Sequence, residues 1–325
     1  MSSWRRALNH VRALRRVAPG LKGRNPTVWL PLSVTTLPGV RRRRAREVPS
    51  AVRDGVAARR VLAPAAGGRA VADVYVYEAG RAAEPTPALF WIHGGGLIMG
   101  APELDHALAS GFADDLGIVV VSPRYRLAPE HPFPAAIDDV YAAYRWLLDH
   151  ADDLGVDPAR IAVGGGSAGG GLAAALVQRA HDDGLPVAYQ VLVEPMLDDR
   201  TVPRAEAADV AALAWTVASN RFGWASYLGH EPGEPDDRPY AVPARRPDLS
   251  GLPPAYIGIG DADLFLDECL DYAARLRAAG VPVDLDVVEG MHHAGEAFPS
   301  VPLIVDMLVD RNDYLAAALG LAEPD

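Results

Sequence analysis

Six residues, Gly165-Gly166-Ser167-Ala168-Gly169-Gly170, join a short apolar run at 161–164 to an Ala-rich stretch. A strand that turns into a helix through so few and such small residues must bend abruptly. Glycine allows this because it has no Cβ to obstruct a neighbouring backbone and accepts left-handed φ at little cost. A side chain at the apex of such a bend stands clear of the sheet edge, and the apex residue here is a serine. The run also fits another template. Gly164-x-Gly166-x-x-Gly169 between strand and helix is a dinucleotide-binding pattern, and Glu194 closes the next apolar run, near where a ribose-binding acid would sit.

From about residue 70 onward, short β-rich runs alternate with longer helical stretches. That rhythm is the signature of the α/β class, a mostly parallel central sheet with helices on both faces. Strands are expected at 71–78, 88–93, 118–122, 161–164, 189–194, 255–260 and 283–288. After Pro134, Ile137, Val140, Tyr141, Tyr144, Leu147 and Leu148 recur at helical spacing and read as core. Residues 267–279 and 301–319 read as two further helices, the first closed by Gly280. Two regions break the rhythm: 1–45, ahead of the first strand, and 205–230, which contains Trp215, Phe222, Trp224 and Tyr227. Both read either as ordinary buried structure or, together, as a helical cap over the C-terminal edge of the sheet. The expected organisation is an N-terminal helical cap segment at 1–45 and a catalytic domain at 46–325 with a cap insertion near 205–230.

Charge is unevenly distributed. The chain carries −11 overall, yet residues 1–50 hold twelve Arg or Lys and a single acid, Glu47. Lys22 is the only lysine, so Arg stands in for Lys throughout, and the run Arg41 to Arg44 says little about nucleic acid. A solvated basic face, or one docked on the acidic body, is the expected reading, and no nucleic-acid partner is expected. Trp4, Leu8, Val11, Leu14 and Val17 recur at helical spacing and predict a basic amphipathic helix, lying on the protein's own surface as the favoured reading or on a membrane surface as the alternative. No continuous apolar h-region and no stretch of about 18 apolar residues appears, so no membrane span is expected. Cys269 is the sole cysteine, which excludes an intramolecular disulfide or a Cys cluster and fits a cytoplasmic setting. No His-Glu-x-x-His or clustered metal-ligand spacing appears, so no metal is expected.

A serine at its ordinary pKa is a poor nucleophile; it needs a base, and the base needs a carboxylate to fix its tautomer. Where the serine sits on a strand-to-helix elbow of this kind, these follow in the order serine, acid, histidine. After Ser167 the histidines are His181, in a helical stretch, His230, in a loop, and the pair His292 and His293, just past the run at 283–288. Asp261, Asp263 and Asp267 follow the run at 255–260, and Glu194 ends the run after the serine bend. One of these acids is required, and Asp263 is favoured. Earlier in the chain, His93-Gly94-Gly95-Gly96 ends another strand, and consecutive glycines let backbone N–H groups approach the oxyanion of a tetrahedral intermediate.

These residues give the chain a resemblance to the hormone-sensitive-lipase-like family of bacterial carboxylesterases, which have the α/β-hydrolase fold. It spans about 70–315 and rests on four motifs: the glycine run after His93; Tyr125-Arg126-Leu127-Ala128-Pro129-Glu130 with Phe133-Pro134-Ala135-Ala136; the serine bend with Gly165 and Gly169; and Asp263 followed by Asp267-Glu268. Pro195-Met196-Leu197-Asp198-Asp199-Arg200 resembles the branch lacking an acid before the nucleophile. The resemblance implies a triad of Ser167, Asp263 and His293 and an oxyanion hole from the amides of Gly95, Gly96 and Ala168. It further implies His93 as a positioning residue, a cap, and cofactor-free hydrolysis of short-to-medium acyl esters. The chain departs from the family pattern at Gly166, where Asp or Thr is usual, at Leu97, at Arg124 and at Ala294-Gly295 after His293. The partner expected is a small-molecule ester, and a homodimer is compatible with the sequence. The alternatives are a catalytically weak or inactive small-molecule binding protein on the same scaffold, and the nucleotide-binding enzyme suggested by the glycine spacing.

Overall fold

The structure is a computed structural model that describes residues 13–22, 32–44, 51–64, 71–80, 85–208 and 212–321. Its centre is an eight-stranded sheet in the order β1-β2-β4-β3-β5-β6-β7-β8. The strands are β1 (Ala57–Pro64), β2 (Val71–Glu78), β3 (Thr86–Ile92), β4 (Val119–Arg124), β5 (Val156–Gly166), β6 (Tyr189–Val193), β7 (Ala255–Gly260) and β8 (Val283–Val288). β2 pairs antiparallel with both β1 and β4, and every pairing from β4 through β8 is parallel.

Strand residues alternate between two cores, as the pleat requires. Phe90 and Ile92 face one layer, packed by the helices Ala135–Asp149, Ala168–Asp182 and Leu266–Ala278. Leu89 and Trp91 face the other, packed by His106–Leu116, Pro302–Ala318 and the N-terminal residues Val17 and Leu21. Three layers follow, with the sheet in the middle.

All seven expected strands are present, with ends shifted by a few residues. β5 begins earlier than the apolar run, at Val156, because Asp157 and Pro158 interrupt the pattern without ending the strand. β1 was not foreseen. It lies at the sheet edge, carries Arg59 and Arg60, and leaves Leu62 62 % exposed, so it shows neither buried periodicity nor an apolar run.

The expected helix at the N-terminus lies mostly outside the described residues; residues 13–16 within it are helical. Beyond it, Ala18 N–H donates to the Gly290 carbonyl at 3.0 Å and Arg16 donates to the Asp261 carbonyl at 2.6 Å. A helix at Leu37–Arg44 sits against the loops that carry Ile98 and Ala128. Its Arg41 donates to the carbonyls of Ile98 (2.8 Å) and Ala128 (2.6 Å) and pairs with Glu130 at 2.7 Å. The basic run thus spends one of its charges on the body of the protein. The interrupting region forms the helices Thr201–Ala207 and Val217–Leu228. Buried Glu268 ties its start down by accepting hydrogen bonds from Leu197 N–H (2.7 Å) and the Thr201 hydroxyl.

Phe90 is fully buried and meets Tyr144 edge-on at 5.4 Å between ring centroids. Phe90→Ala should therefore cost about 3–5 kcal/mol, whereas Leu62→Ala on the edge should stay within about 0.5 kcal/mol. Urea unfolding midpoints of the two variants check this ordering.

Candidate active site

The sheet reverses its direction of winding around β3, which has β4 on one side and β5 on the other. Ligands on such sheets bind outside the carboxyl ends of the strands at this switch. Ile92 of β3 is in register with Gly165 of β5, Gly166 with Val193 of β6, and Gly260 of β7 with Val288 of β8. The segments that leave these strand ends carry His93 to Gly96, Ser167, Glu194, Asp263 and His293, so the register delivers them to one edge.

Ser167 has φ 54° and ψ −120° and caps the Ala168–Asp182 helix. A non-glycine residue at positive φ is strained, and its surroundings hold it. Its N–H donates to the Val193 carbonyl at 2.8 Å and its carbonyl accepts from Met196 at 2.9 Å. The flanking glycines are required by contact: a Cβ on Gly169 would stand 2.0 Å from the Ile92 carbonyl oxygen, and one on Gly165 would stand 2.5 Å from the Gly169 backbone.

The hydroxyl of Ser167 lies 2.9 Å from Nε2 of His293, and Nδ1 of His293 lies 2.8 Å from Oδ2 of Asp263. Asp263 Oδ1 accepts from Phe265 N–H at 2.9 Å, which fixes the carboxylate. Burial opposes charge on the His293 ring, but the charge and hydrogen bond of Asp263, with Glu296 nearby, outweigh it and raise its pKa above 6.5.

Glu194, also weighed as the acid, is farther from Nδ1, at 3.7 Å. It is fully buried and accepts from the N–H groups of Ala294 (2.6 Å) and Gly295 (3.3 Å), so it grips the backbone just after His293. Burial pushes its pKa well up, and the neighbouring Glu296 and Asp263 push the same way. This burial leaves Glu194 no access to a ribose, and the nucleotide-binding reading loses its acid.

The remaining candidates lie elsewhere. His292 is buried with Nδ1 on the His293 carbonyl at 2.8 Å and makes no bond to Ser167. His230 pairs with Asp236 at 3.0 Å, and His181 is exposed on its helix. Asp261 accepts from Gly290 N–H at 2.7 Å, and Asp267 is exposed. Glu194, Asp263 and His293 bring one ligand atom each within 4.8 Å of one another, a spacing that could hold a cation. Both nitrogens of His293 are already engaged, however, by Asp263 and Ser167.

On the facing side, Gly95 (φ 124°), Gly96 (φ 61°) and Leu97 (φ 66°) form a tight turn closed by Met99 N–H on the Gly95 carbonyl at 3.0 Å. Among the described residues, the N–H groups of Gly95, Gly96 and Ala168 have no backbone acceptor. His93 is buried beneath the turn, stacks on Tyr125 at 4.2 Å, and donates from Nδ1 to the Gly94 carbonyl at 2.8 Å. Burial pushes its pKa down to about 4, so it is neutral and acts as a brace.

A cavity of about 310 Å³ opens onto Ser167, lined by the glycine turn, Trp91, Met99, Leu108, Trp215 and His293 together with two acids, Asp105 and Glu296. Sequence reasoning missed both acids. Asp105 sits in a short turn at Pro102–Asp105 with no motif around it, while Glu296 follows His293 closely enough that its position could have raised the question.

A nucleophile bend, imidazole and carboxylate on a mostly parallel sheet define an α/β-type serine hydrolase. Residues 89–296 match the alpha/beta hydrolase fold family, and the chain belongs to it. Over 222 residues it is 39 % identical to esterase LipI of Mycobacterium tuberculosis, covering 66 % of this chain and 67 % of that protein. It is 38 % identical over 240 residues to carboxylesterase NlhH of the same organism, covering 73 % and 74 %. A solved structure titled bacterial heroin esterase superposes with a TM-score of 0.87 at 35 % identity, covering 94 % of this chain and 99 % of that one. The resemblance to the hormone-sensitive-lipase-like carboxylesterases is thereby borne out.

If Glu194 grips the histidine loop, Glu194→Ala should lower kcat by about 10–100-fold with little change in KM. Steady-state kinetics of the purified variant separate the two parameters; a rise in KM alone would contradict that role.

Proposed function

We infer that the chain is a carboxylesterase in which Ser167 is the nucleophile, His293 the base and Asp263 the group that orients it. The observation that carries this is the unbroken chain Ser167 Oγ, His293 Nε2 at 2.9 Å, and His293 Nδ1 to Asp263 Oδ2 at 2.8 Å. A proton on Nδ1 donated to Asp263 leaves Nε2 as an acceptor, so the imidazole takes the serine proton as Oγ attacks the ester carbonyl. The oxyanion of the tetrahedral intermediate is received by the amides of Gly95, Gly96 and Ala168. The Ala168 amide is also the first of a helix, so the helix dipole adds to its pull. His293 returns the proton to the departing alcohol, then activates water to release the acid from the acyl-enzyme.

The segment 32–44 and the helices at 201–207 and 217–228 serve in this reading as a cap. Trp215, from the insertion, lines the cavity and lies on Gly96, where a Cβ would meet its ring at 2.2 Å. A cavity of about 310 Å³ suits short-to-medium acyl esters. No helix among the described residues is long and apolar enough to cross a membrane. A cytoplasmic setting and a homodimer complete the proposal: the buried Cys269, free of any disulfide, supports the first, and β8, the edge strand among the described residues, with Val287 exposed, supports the second.

Purified protein should hydrolyse p-nitrophenyl acetate and butyrate, and Ser167→Ala should reduce that turnover by at least about 10³-fold. Wild-type rates in the variant would reject this nucleophile. Because His293 must be neutral to act and its pKa is raised, kcat/KM should fall as pH drops, with its acid midpoint above 6.5. A midpoint well below 6 would contradict the electrostatics described for the site.

A further inference from the structure

The cavity beside Ser167 contains two carboxyl groups and, among the described residues that line it, no Arg or Lys. Asp105 accepts one hydrogen bond from Trp91 Nε1 at 3.2 Å. Glu296 leaves Oε2 sealed from solvent with no N–H or O–H partner among the described residues. Gly166 keeps the way between Ser167 and Glu296 open, since the nearest atom to a Cβ placed there is Glu296 Oε1 at 3.8 Å. Two tryptophans, Trp91 and Trp215, supply aromatic walls.

Among the described residues, no other charged group lining this space neutralises it. Glu194 and Asp263 are acids, and His293 must be uncharged at the moment of attack. The buried cation Arg311 senses Glu296 but sits over the Phe112 ring at 4.2 Å and does not line the cavity. Burial pushes Asp105 up to a pKa of about 6, and the neighbouring Glu296 pushes the same way. Carboxylates in an enclosed, partly apolar space are costly unless paired, and aromatic faces favour cations.

We propose that this cavity selects esters carrying a positively charged amine, with Asp105 and Glu296 as the residues that recognise it. The proposal rests on the esterase reading and narrows it to a substrate class. The amine can lie on the alcohol or the acyl side of the ester, and two pairs of near-isosteric substrates separate these cases. The first compares acetylcholine with 3,3-dimethylbutyl acetate, and the second compares ethyl 4-aminobutyrate with ethyl pentanoate.

In at least one pair, at neutral pH and low salt, kcat/KM should favour the charged ester on the order of tenfold, and the preference should shrink in concentrated salt. Asp105→Asn should lower that ratio at least severalfold, the neutral ester serving as the internal reference for each protein. Should the variant fail to fold, wild-type inhibition tests the preference on each side: either choline should bind about tenfold more tightly than 3,3-dimethylbutan-1-ol, or 4-aminobutyramide about tenfold more tightly than pentanamide. Hydrolysis of both neutral esters with no charged preference in either pair overturns the proposal and leaves the esterase reading intact. Absence of turnover of every ester removes both.

Discussion

The contact between Gly169 and the end of β3 is the constraint on which the site depends. With the Ile92 carbonyl 2.0 Å from where a Cβ on Gly169 would stand, the first turn of the Ala168–Asp182 helix rests directly on a neighbouring strand. No other residue type tolerates that approach without moving backbone. Because the helix cannot retreat, the chain leaving β5 must turn within a single residue, and Ser167 takes the positive φ that the turn imposes. The same contact fixes the distance between the serine bend and the glycine turn after His93, so the nucleophile and the amides facing it are set by one piece of packing.

The acid and the base reach this point by a different route. They leave the ends of β7 and β8, two and three strands beyond β5, and only the parallel register brings them back to the serine. Their precision comes from hydrogen bonds in the loops: Phe265 N–H on Asp263, and Glu194 on the amides of Ala294 and Gly295. The cost is a concentration of carboxyl groups, in which Glu296 and Asp263 add to the burial that pushes the Glu194 pKa up. The electrostatic character of the cavity therefore follows from how the histidine is held as well as from what the substrate needs.

Much of this was legible in the sequence because the features are local. A six-residue glycine-rich bend, apolar runs with helical stretches between them, and a histidine pair after a strand each announce themselves within a few residues. What was not legible depends on distance. β1 is exposed and Arg-bearing, so nothing in its own residues marks it as a strand; its pairing with β2 does. The choice between Asp263 and Glu194 is a matter of 2.8 against 3.7 Å from one nitrogen, which no spacing encodes. Arg41 belongs to a basic run whose sequence left open whether it is solvated or docked on the body, and it docks, clasping the carbonyls of Ile98 and Ala128. Asp105 and Glu296 meet only because separate loops converge on the cavity.

The most direct test of the account is a crystal structure of the protein after reaction with a p-nitrophenyl alkylphosphonate, which traps a tetrahedral mimic of the intermediate. Phosphorus should be bonded to Oγ of Ser167, with one phosphonyl oxygen about 2.7–3.1 Å from the amides of Gly95, Gly96 and Ala168. Labelling of another residue, or a phosphonyl oxygen directed away from those three amides, would contradict the account.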